Sequence, residues 1–377
     1  MIKTFTYFLK ERLKHIIIFS FVAGLLTHLF LFGSNGIYYD DGVAKYIRYF
    51  SSASSFISVA CAVVATIIPI LEFSFKTKKI NVDHYYSLPF TRKDLYLSKF
   101  LVGLVEMISF ITIIFISMML FYVFRIPINM FNLGGFLLYY LFVIVSCFII
   151  YTFVTHFYII TNTISDGITN LVMACFALPA LLLVFSKIDL TLIDMINNKI
   201  NIGTSTFMFP NSPLTVLTVI SNGVVLYETH KLTDSYLIQS YVSIGINVVL
   251  TILYLLNIQR YVKNHKAEDA SQISDNILSY KLFIPFYVIL FSLLSFTNCG
   301  IWHDFFMAFV VVIISGYILT CIYKRKFTLV KKDIINTFLY PLVGLSIGIV
   351  LSLISWAVES IIGKFYIKRG CKPILGL

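Results

Sequence analysis

Nine apolar runs dominate this chain of 377 residues, and each approaches the length that a helix needs to cross a bilayer. Charged residues make up only 12% of the sequence, whereas a soluble domain carries about 25%. The sequence therefore predicts an all-α polytopic membrane protein. The predicted spans are residues 16–33, 56–73, 101–124, 136–161, 168–186, 237–257, 282–298, 305–323 and 338–358.

The distribution of Lys and Arg predicts the orientation of these spans. With the N-terminus in the cytoplasm, nearly two thirds of the 29 basic residues fall in internal segments, as the positive-inside rule requires. Residues 76–99 and 259–281 are then cytoplasmic, and residues 187–236 are external. The tail is the exception, so either the last run is re-entrant or an external tail carries Lys364, Lys368, Arg369 and Lys372.

Residues 76–99 form the most polar interruption in the first half of the chain. Pro89 ends any preceding helix, because proline lacks an N–H and restricts the residue before it. Thr91 and Asp94 have the spacing of a helix N-cap, which predicts that the next helix begins there. The segment contains two acidic residues against six basic ones: Lys76, Lys78, Lys79, Arg92, Lys93 and Lys99.

Upstream of Pro89, the side chains of Val82, Tyr85, Tyr86 and Leu88 share one side of a short amphipathic helix. A cytoplasmic helix with an aromatic face and basic flanks suits docking against a soluble partner. The alternative is an ordinary basic loop whose charges serve only to orient the flanking spans during membrane insertion.

The stretch HYYSLPFTRKDLYLSKFLVG resembles the first cytoplasmic loop of ABC-2-type transporter permeases, in the branch common in Gram-positive bacteria. The residues that match are Tyr85, Tyr86, Ser87, Leu88, Pro89, Thr91, Arg92 and Lys99. The resemblance implies a coupling helix just before Pro89, seated in a groove of a separate ATPase subunit. On that interpretation the coupling residues are Val82, Tyr85, Tyr86, Leu88, Pro89 and Arg92.

The same resemblance implies a domain organisation. Residues 1–260 correspond to a six-span ABC-2-type core, with short re-entrant helices in the external segment 187–236, where an ordinary external loop is the alternative. Residues 261–377 add a cytoplasmic linker and about three C-terminal spans, which is a departure from exporters that stop after six.

Missing motifs restrict the function further. The sequence has no phosphate-binding G-x-x-x-x-G-K-[ST] motif, so an ATPase would be a separate subunit. Spans 4 to 8 have almost no acidic residues, which disfavours an ion-coupled carrier. No catalytic pair, cofactor motif or metal-ligand spacing is present, and the clustered basic residues do not form a nucleic-acid surface.

We therefore expect a permease subunit without enzymatic activity, in the cell membrane, exporting an amphipathic or lipophilic cargo such as a peptide, an antibiotic or a lipid. Its expected partners are two copies of an ATPase, a second permease subunit, identical or related, and membrane lipids. The alternatives are a membrane sensor or immunity protein without a transport cycle, an ion-coupled secondary transporter, and a membrane enzyme.

Two carboxylates in or beside the spans are further candidates. Glu106 lies inside the third span, where an ionisable residue is a functional candidate, although pairing with Lys99 or Arg92 is the structural alternative. Glu72 closes the second span and is four residues from Lys76, which predicts a pair along one helix.

Overall fold

A computed structural model describes residues 2–33, 42–125, 133–187, 234–264, 272, 276–298, 302–327 and 331–368. The regular structure in these residues is helical throughout, which confirms the all-α prediction for this part of the chain. Its α-helices are α1 (Ile2–Gly33), α2 (Gly42–Phe73), α3 (Lys79–Tyr86), α4 (Arg92–Arg125), α5 (Leu133–Ile159), α6 (Ile164–Lys187), α7 (Asp234–Asn264), α8 (Leu282–Asn298), α9 (Trp302–Lys324) and α10 (Lys331–Lys368).

Six of these helices contain segments long and apolar enough to cross a membrane, which supports a membrane-embedded protein. They belong to α1, α2, α4, α5, α8 and α10, the segment of α8 including the π-helical turn Ile277–Lys281. Predicted spans 5, 6 and 8 lie in α6, α7 and α9, and as membrane crossings they stay predictions. The fourth predicted span extends two residues beyond the end of α5.

Several expectations fall outside the described residues. The predicted re-entrant segment is one of them, because residues 188–233 are not described. Most of the linker between α7 and the π-helical turn and the end of the tail, residues 369–377, also lie outside.

The chain packs into two compact units. The first comprises Met1–Cys175 and Pro210–Ser274, and the second comprises Phe176–Phe209 and Asp275–Leu377. The expected boundary near residue 260 stays a prediction.

Close helix contacts in the first unit depend on small and hydroxyl-bearing residues, as is common in membrane proteins. Gly24 of α1 faces Ile113 of α4 so closely that a Cβ would lie 2.8 Å from the Ile113 methyl carbon Cγ2. Beside it, the Ser117 hydroxyl donates a hydrogen bond of 2.9 Å to the Gly24 carbonyl. Across α4 and α5, the Tyr151 hydroxyl donates to the Phe100 carbonyl at 3.0 Å. These contacts hold α4 against α1 and α5.

In the second unit, α8 packs against both α9 and α10. Gly344 of α10 lies against α8, where a Cβ would be 2.6 Å from the Ile289 carbonyl oxygen. The Ser292 hydroxyl donates a hydrogen bond of 2.7 Å to the carbonyl of Pro341. The contact between α8 and α10 therefore combines a small residue with a buried hydrogen bond.

Candidate functional site

The basic segment between α2 and α4 folds into a compact series of turns around α3. A 3-10 turn, Ser74–Thr77, follows α2, and Lys78 is extended before α3 begins. Helix α3 ends before Pro89, in agreement with the predicted break. The Thr91 hydroxyl accepts a hydrogen bond of 3.1 Å from the Asp94 amide, which confirms the predicted cap of α4.

The apolar face of α3 is directed toward the chain's own helices. Val82 is fully buried, and Tyr85 is partly buried between two aromatic rings. Its ring centroid lies 4.8 Å from that of Phe75 and 6.1 Å from that of Phe8 in α1. Val82, Tyr85 and Tyr86 do lie in α3, but the prediction is wrong for Leu88, which lies beyond the end of this helix. The side of α3 with Val82 is occupied within the chain, so Val82 is not available to a partner in this conformation.

The remaining predicted coupling residues lie at the end of α3 and the start of α4. They are Tyr86, Leu88, Pro89 and Arg92. The Arg92 guanidinium lies 4.8 Å from the centroid of the Tyr86 ring, a cation–π contact. The Tyr86 hydroxyl is 3.4 Å from the hydroxyl of Tyr96 in α4. Leu88 is partly buried and Pro89 is exposed. Tyr86 therefore joins the end of α3 to the beginning of α4.

The outward side of α3 carries a different set of residues. Ile80 is 83% exposed, an unusual exposure for a large apolar side chain in a helix that packs on the chain. Its neighbours on the exposed side include Lys79, Asn81, Asp83 and His84. This surface combines one apolar side chain with charged and polar groups, and it faces solvent in the described structure.

The second feature of this region is a buried carboxylate near the end of α2. Glu72, near the end of α2, has 1% of its side chain exposed. Its Oε1 lies 2.8 Å from Arg12 Nε of α1, and its Oε2 lies 3.3 Å from Lys99 Nζ of α4. Neither contact has the alignment of a hydrogen bond, so the attraction is mainly between the charges. Residues of three helices thus meet at one carboxylate, and we call Glu72, Arg12 and Lys99 the Glu72 group.

Lys99 connects this charged group to α3. Its ammonium lies 4.5 Å from the centroid of the Phe8 ring and 5.2 Å from the centroid of the Tyr85 ring. Cation–π attraction of this kind strengthens where the cation is shielded from water, and the Lys99 side chain is only 3% exposed. Burial, and secondarily the charges of Glu11 and Glu72, raises the pKa of the Tyr85 phenol, so its ring stays neutral at neutral pH.

A second buried lysine ties the 3-10 turn to α5 and α7. Lys76 is fully buried, and its ammonium donates a hydrogen bond to the carbonyl of Ile159, the last residue of α5. A cation at the C-terminal end of a helix is favourable, because the carbonyls there carry partial negative charge. The ammonium also lies 5.2 Å from the centroid of the Tyr261 ring in α7. Lys76 thus binds α5 and α7, whereas Arg12 and Lys99 contact Glu72.

The ion pair expected between Glu106 and Lys99 or Arg92 is wrong for the described structure. Glu106 is partly buried and makes no ion pair with any residue in the described ranges. Seven residues separate it from Lys99, or about 10 Å along a helix, whereas Glu72 reaches Lys99 directly from a neighbouring helix. Arg12 also contacts Glu72, but no local sequence pattern distinguishes it from the other basic residues of the N-terminal segment.

The described residues hold no group of three or more His, Cys, Asp or Glu side chains placed to bind a metal. The contacts of this region are suited to transmitting a movement. Helix α3 lies outside the membrane-length segments, and aromatic rings attach it to the buried Glu72 group. Comparisons with protein-family models, curated proteins and solved structures find no match to this chain. The resemblance to ABC-2-type permeases therefore rests on the residues of the loop itself.

Proposed function

We propose that this chain is the permease subunit of an ATP-driven ABC-2-type exporter, in the cell membrane with its N-terminus in the cytoplasm. The observation that best supports this proposal is the attachment of α3. Tyr85 packs on Phe8 and on Lys99, and Lys99 contacts the buried Glu72 that also pairs with Arg12. A displacement of α3 therefore acts on α1, α2 and α4 together.

In this proposal, ATP binding on separate subunits moves α3, and the Glu72 group transmits the movement into the membrane helices as a rigid-body rotation. The sequence has no phosphate-binding motif, so the chain itself supplies the pathway and the coupling surface. Two ATPase subunits and a second permease subunit complete the assembly, and the cargo is amphipathic or lipophilic.

The placement of α3 changes which of its residues would contact the ATPase. Val82 and Tyr85 face inward, so they hold α3 in place, and the outward side with Ile80 is the surface left for a partner. An exposed apolar side chain surrounded by polar groups has the composition of a small interface centre with a polar rim.

Purification of the tagged chain from its native membranes tests this assignment. The expected result is an accompanying protein with a phosphate-binding motif and vanadate-sensitive ATP hydrolysis, which Ile80→Asp loses. The matched control is Phe327→Asp, because Phe327, in the turn that follows α9, is also a large apolar side chain and is 89% exposed. Without an accompanying ATPase, or with equal retention by Ile80→Asp and the parent, the proposal fails.

Orientation is tested separately by labelling. A cysteine introduced by Lys79→Cys or Asn264→Cys, in a chain whose native cysteines are replaced, should resist an impermeant maleimide in intact cells. It should react after lysis. Labelling of either position in intact cells contradicts the proposed topology, whatever the result of the purification.

A further inference from the structure

A small pocket opens in the first unit where α2, α4, α5 and α7 come together. Its volume is about 90 Å³, enough for part of an apolar chain and too little for a whole ligand. The lining is largely apolar and comes from all four helices, including Phe73, Phe100, Ile159, Leu255 and Val262. Phe73, Phe100, Ile159 and Val262 are buried, and Leu255 is partly buried, so these residues form the interior of the pocket.

Two polar side chains line the same pocket, and they differ from its interior in exposure. Lys93 and Gln259 are both exposed, which places them at the mouth. Within the described ranges, neither side chain makes a hydrogen bond or an ion pair. An ammonium and a carboxamide therefore remain available to a group that lies at the opening.

The mouth lies near the ends of two long helices. Lys93 is the second residue of α4, and Gln259 lies in the last two turns of α7. The adjacent residues Arg92 and Arg260 are also basic and exposed. Basic side chains at the ends of membrane helices lie at the level of lipid headgroups and attract those that are anionic.

We infer that this pocket binds an anionic membrane phospholipid, with a segment of one acyl chain inside and the headgroup phosphate against Lys93 and Gln259. The apolar interior excludes a ligand that is charged throughout, and the positive charge at the mouth favours a headgroup with a net negative charge over a zwitterionic one. The site does not depend on an ATPase, so it stands whether or not the permease proposal holds.

The test compares lipids on the purified full chain in neutral detergent. Phosphatidylglycerol should raise the melting temperature more than phosphatidylcholine with the same acyl chains, and native mass spectrometry should show retained phosphatidylglycerol. Lys93→Gln should weaken phosphatidylglycerol binding about fivefold, because each basic residue near an anionic surface contributes modestly. Leu255→Trp should reduce the binding of both lipids by filling the pocket.

Lys79→Gln is the matched control, since Lys79 is also exposed and does not line the pocket. It should bind phosphatidylglycerol like the parent. The inference is overturned if Lys79→Gln and Lys93→Gln weaken binding equally, or if the two lipids act alike on the parent. It is also overturned if Leu255→Trp binds normally, or if soluble glycerol phosphate without acyl chains produces the same stabilisation.

Discussion

The ion pairs of the two units differ in how much of each side chain is exposed to solvent. In the first unit, Glu72 is 1% exposed and receives Arg12 and Lys99 from two other helices. In the second, Lys324 of α9 pairs with Asp333 of α10 at 2.5 Å, and the side chains are 37% and 14% exposed. The first group joins three helices through one carboxylate, whereas the second joins only α9 and α10.

This difference shows where charge determines the arrangement of helices. Removing one partner of a buried pair leaves an uncompensated charge out of water, which costs far more than the pair itself contributes. Removing one partner of an exposed pair costs little stability, because water and salt ions can solvate the charge that remains. The Glu72 group should therefore fix the positions of α1, α2 and α4, while the Lys324–Asp333 pair should stabilise only a turn.

The largest effect is expected from Glu72→Ala. Arg12 and Lys99 then lose their shared counter-charge, and Lys99 has little access to solvent. The free energy of unfolding in detergent should fall by about 3–5 kcal/mol. The control is Glu106→Ala, which removes a carboxylate without an ion pair in the described residues. An equal loss in the two variants would show that the ion-paired carboxylate of Glu72 contributes no more to the free energy of unfolding than that of Glu106.

The combination of Glu72→Leu with Lys99→Met sharpens the comparison. Replacing both partners of a buried pair by apolar residues is often neutral or stabilising by about 1–4 kcal/mol, so most of the stability lost in Glu72→Ala should return. Arg12 is 29% exposed and can turn toward water. The measurement is a double-mutant cycle in free energy of unfolding. Failure of the double variant to recover would assign the loss to packing instead of charge.

Tyr85→Ala combined with Tyr86→Ala should have an intermediate effect, because both rings are partly buried against the chain. We expect a loss of about 1–3 kcal/mol in unfolding free energy. Faster hydrogen exchange in residues 79–86 should accompany it, with weakened binding of the proposed ATPase. Lys78→Ala with Lys79→Ala is the control for the unfolding free energy and for hydrogen exchange, since exposed charges contribute about 0–1 kcal/mol. If exchange in α3 is unchanged in the double tyrosine variant, these rings do not hold α3 in place.

Lys324→Ala should have the smallest effect. The pair with Asp333 is partly exposed, so we expect it to contribute about 1 kcal/mol and to be screened by salt. Thermal unfolding at low and high salt should show a small difference from the parent that shrinks further as salt rises. A loss as large as that of Glu72→Ala would remove the distinction between the two kinds of contact.

Much of the helical structure follows from local features of the sequence. Each predicted span lies within one helix, apart from the last two residues of the fourth, because a long apolar run has no other way to satisfy its backbone in lipid. Pro89 and Thr91 predict the end of α3 and the start of α4 by local backbone chemistry. The coupling role of the loop depends on binding to a separate subunit, so it stays a prediction.

The helices, their caps and the amphipathic character of α3 thus follow from local sequence, because each depends on neighbours within about one or two turns. Which charges meet depends instead on how the helices pack together. Lys76 is four residues after Glu72, but α2 ends at Phe73 and a 3-10 turn follows, so helical spacing no longer applies and Lys76 is directed to Ile159. Arg12 and Lys99 approach Glu72 from other helices. The direction of the apolar face of α3 was decided in the same way, because the Phe8 and Lys99 side chains that receive Tyr85 lie on separate helices brought together only by folding.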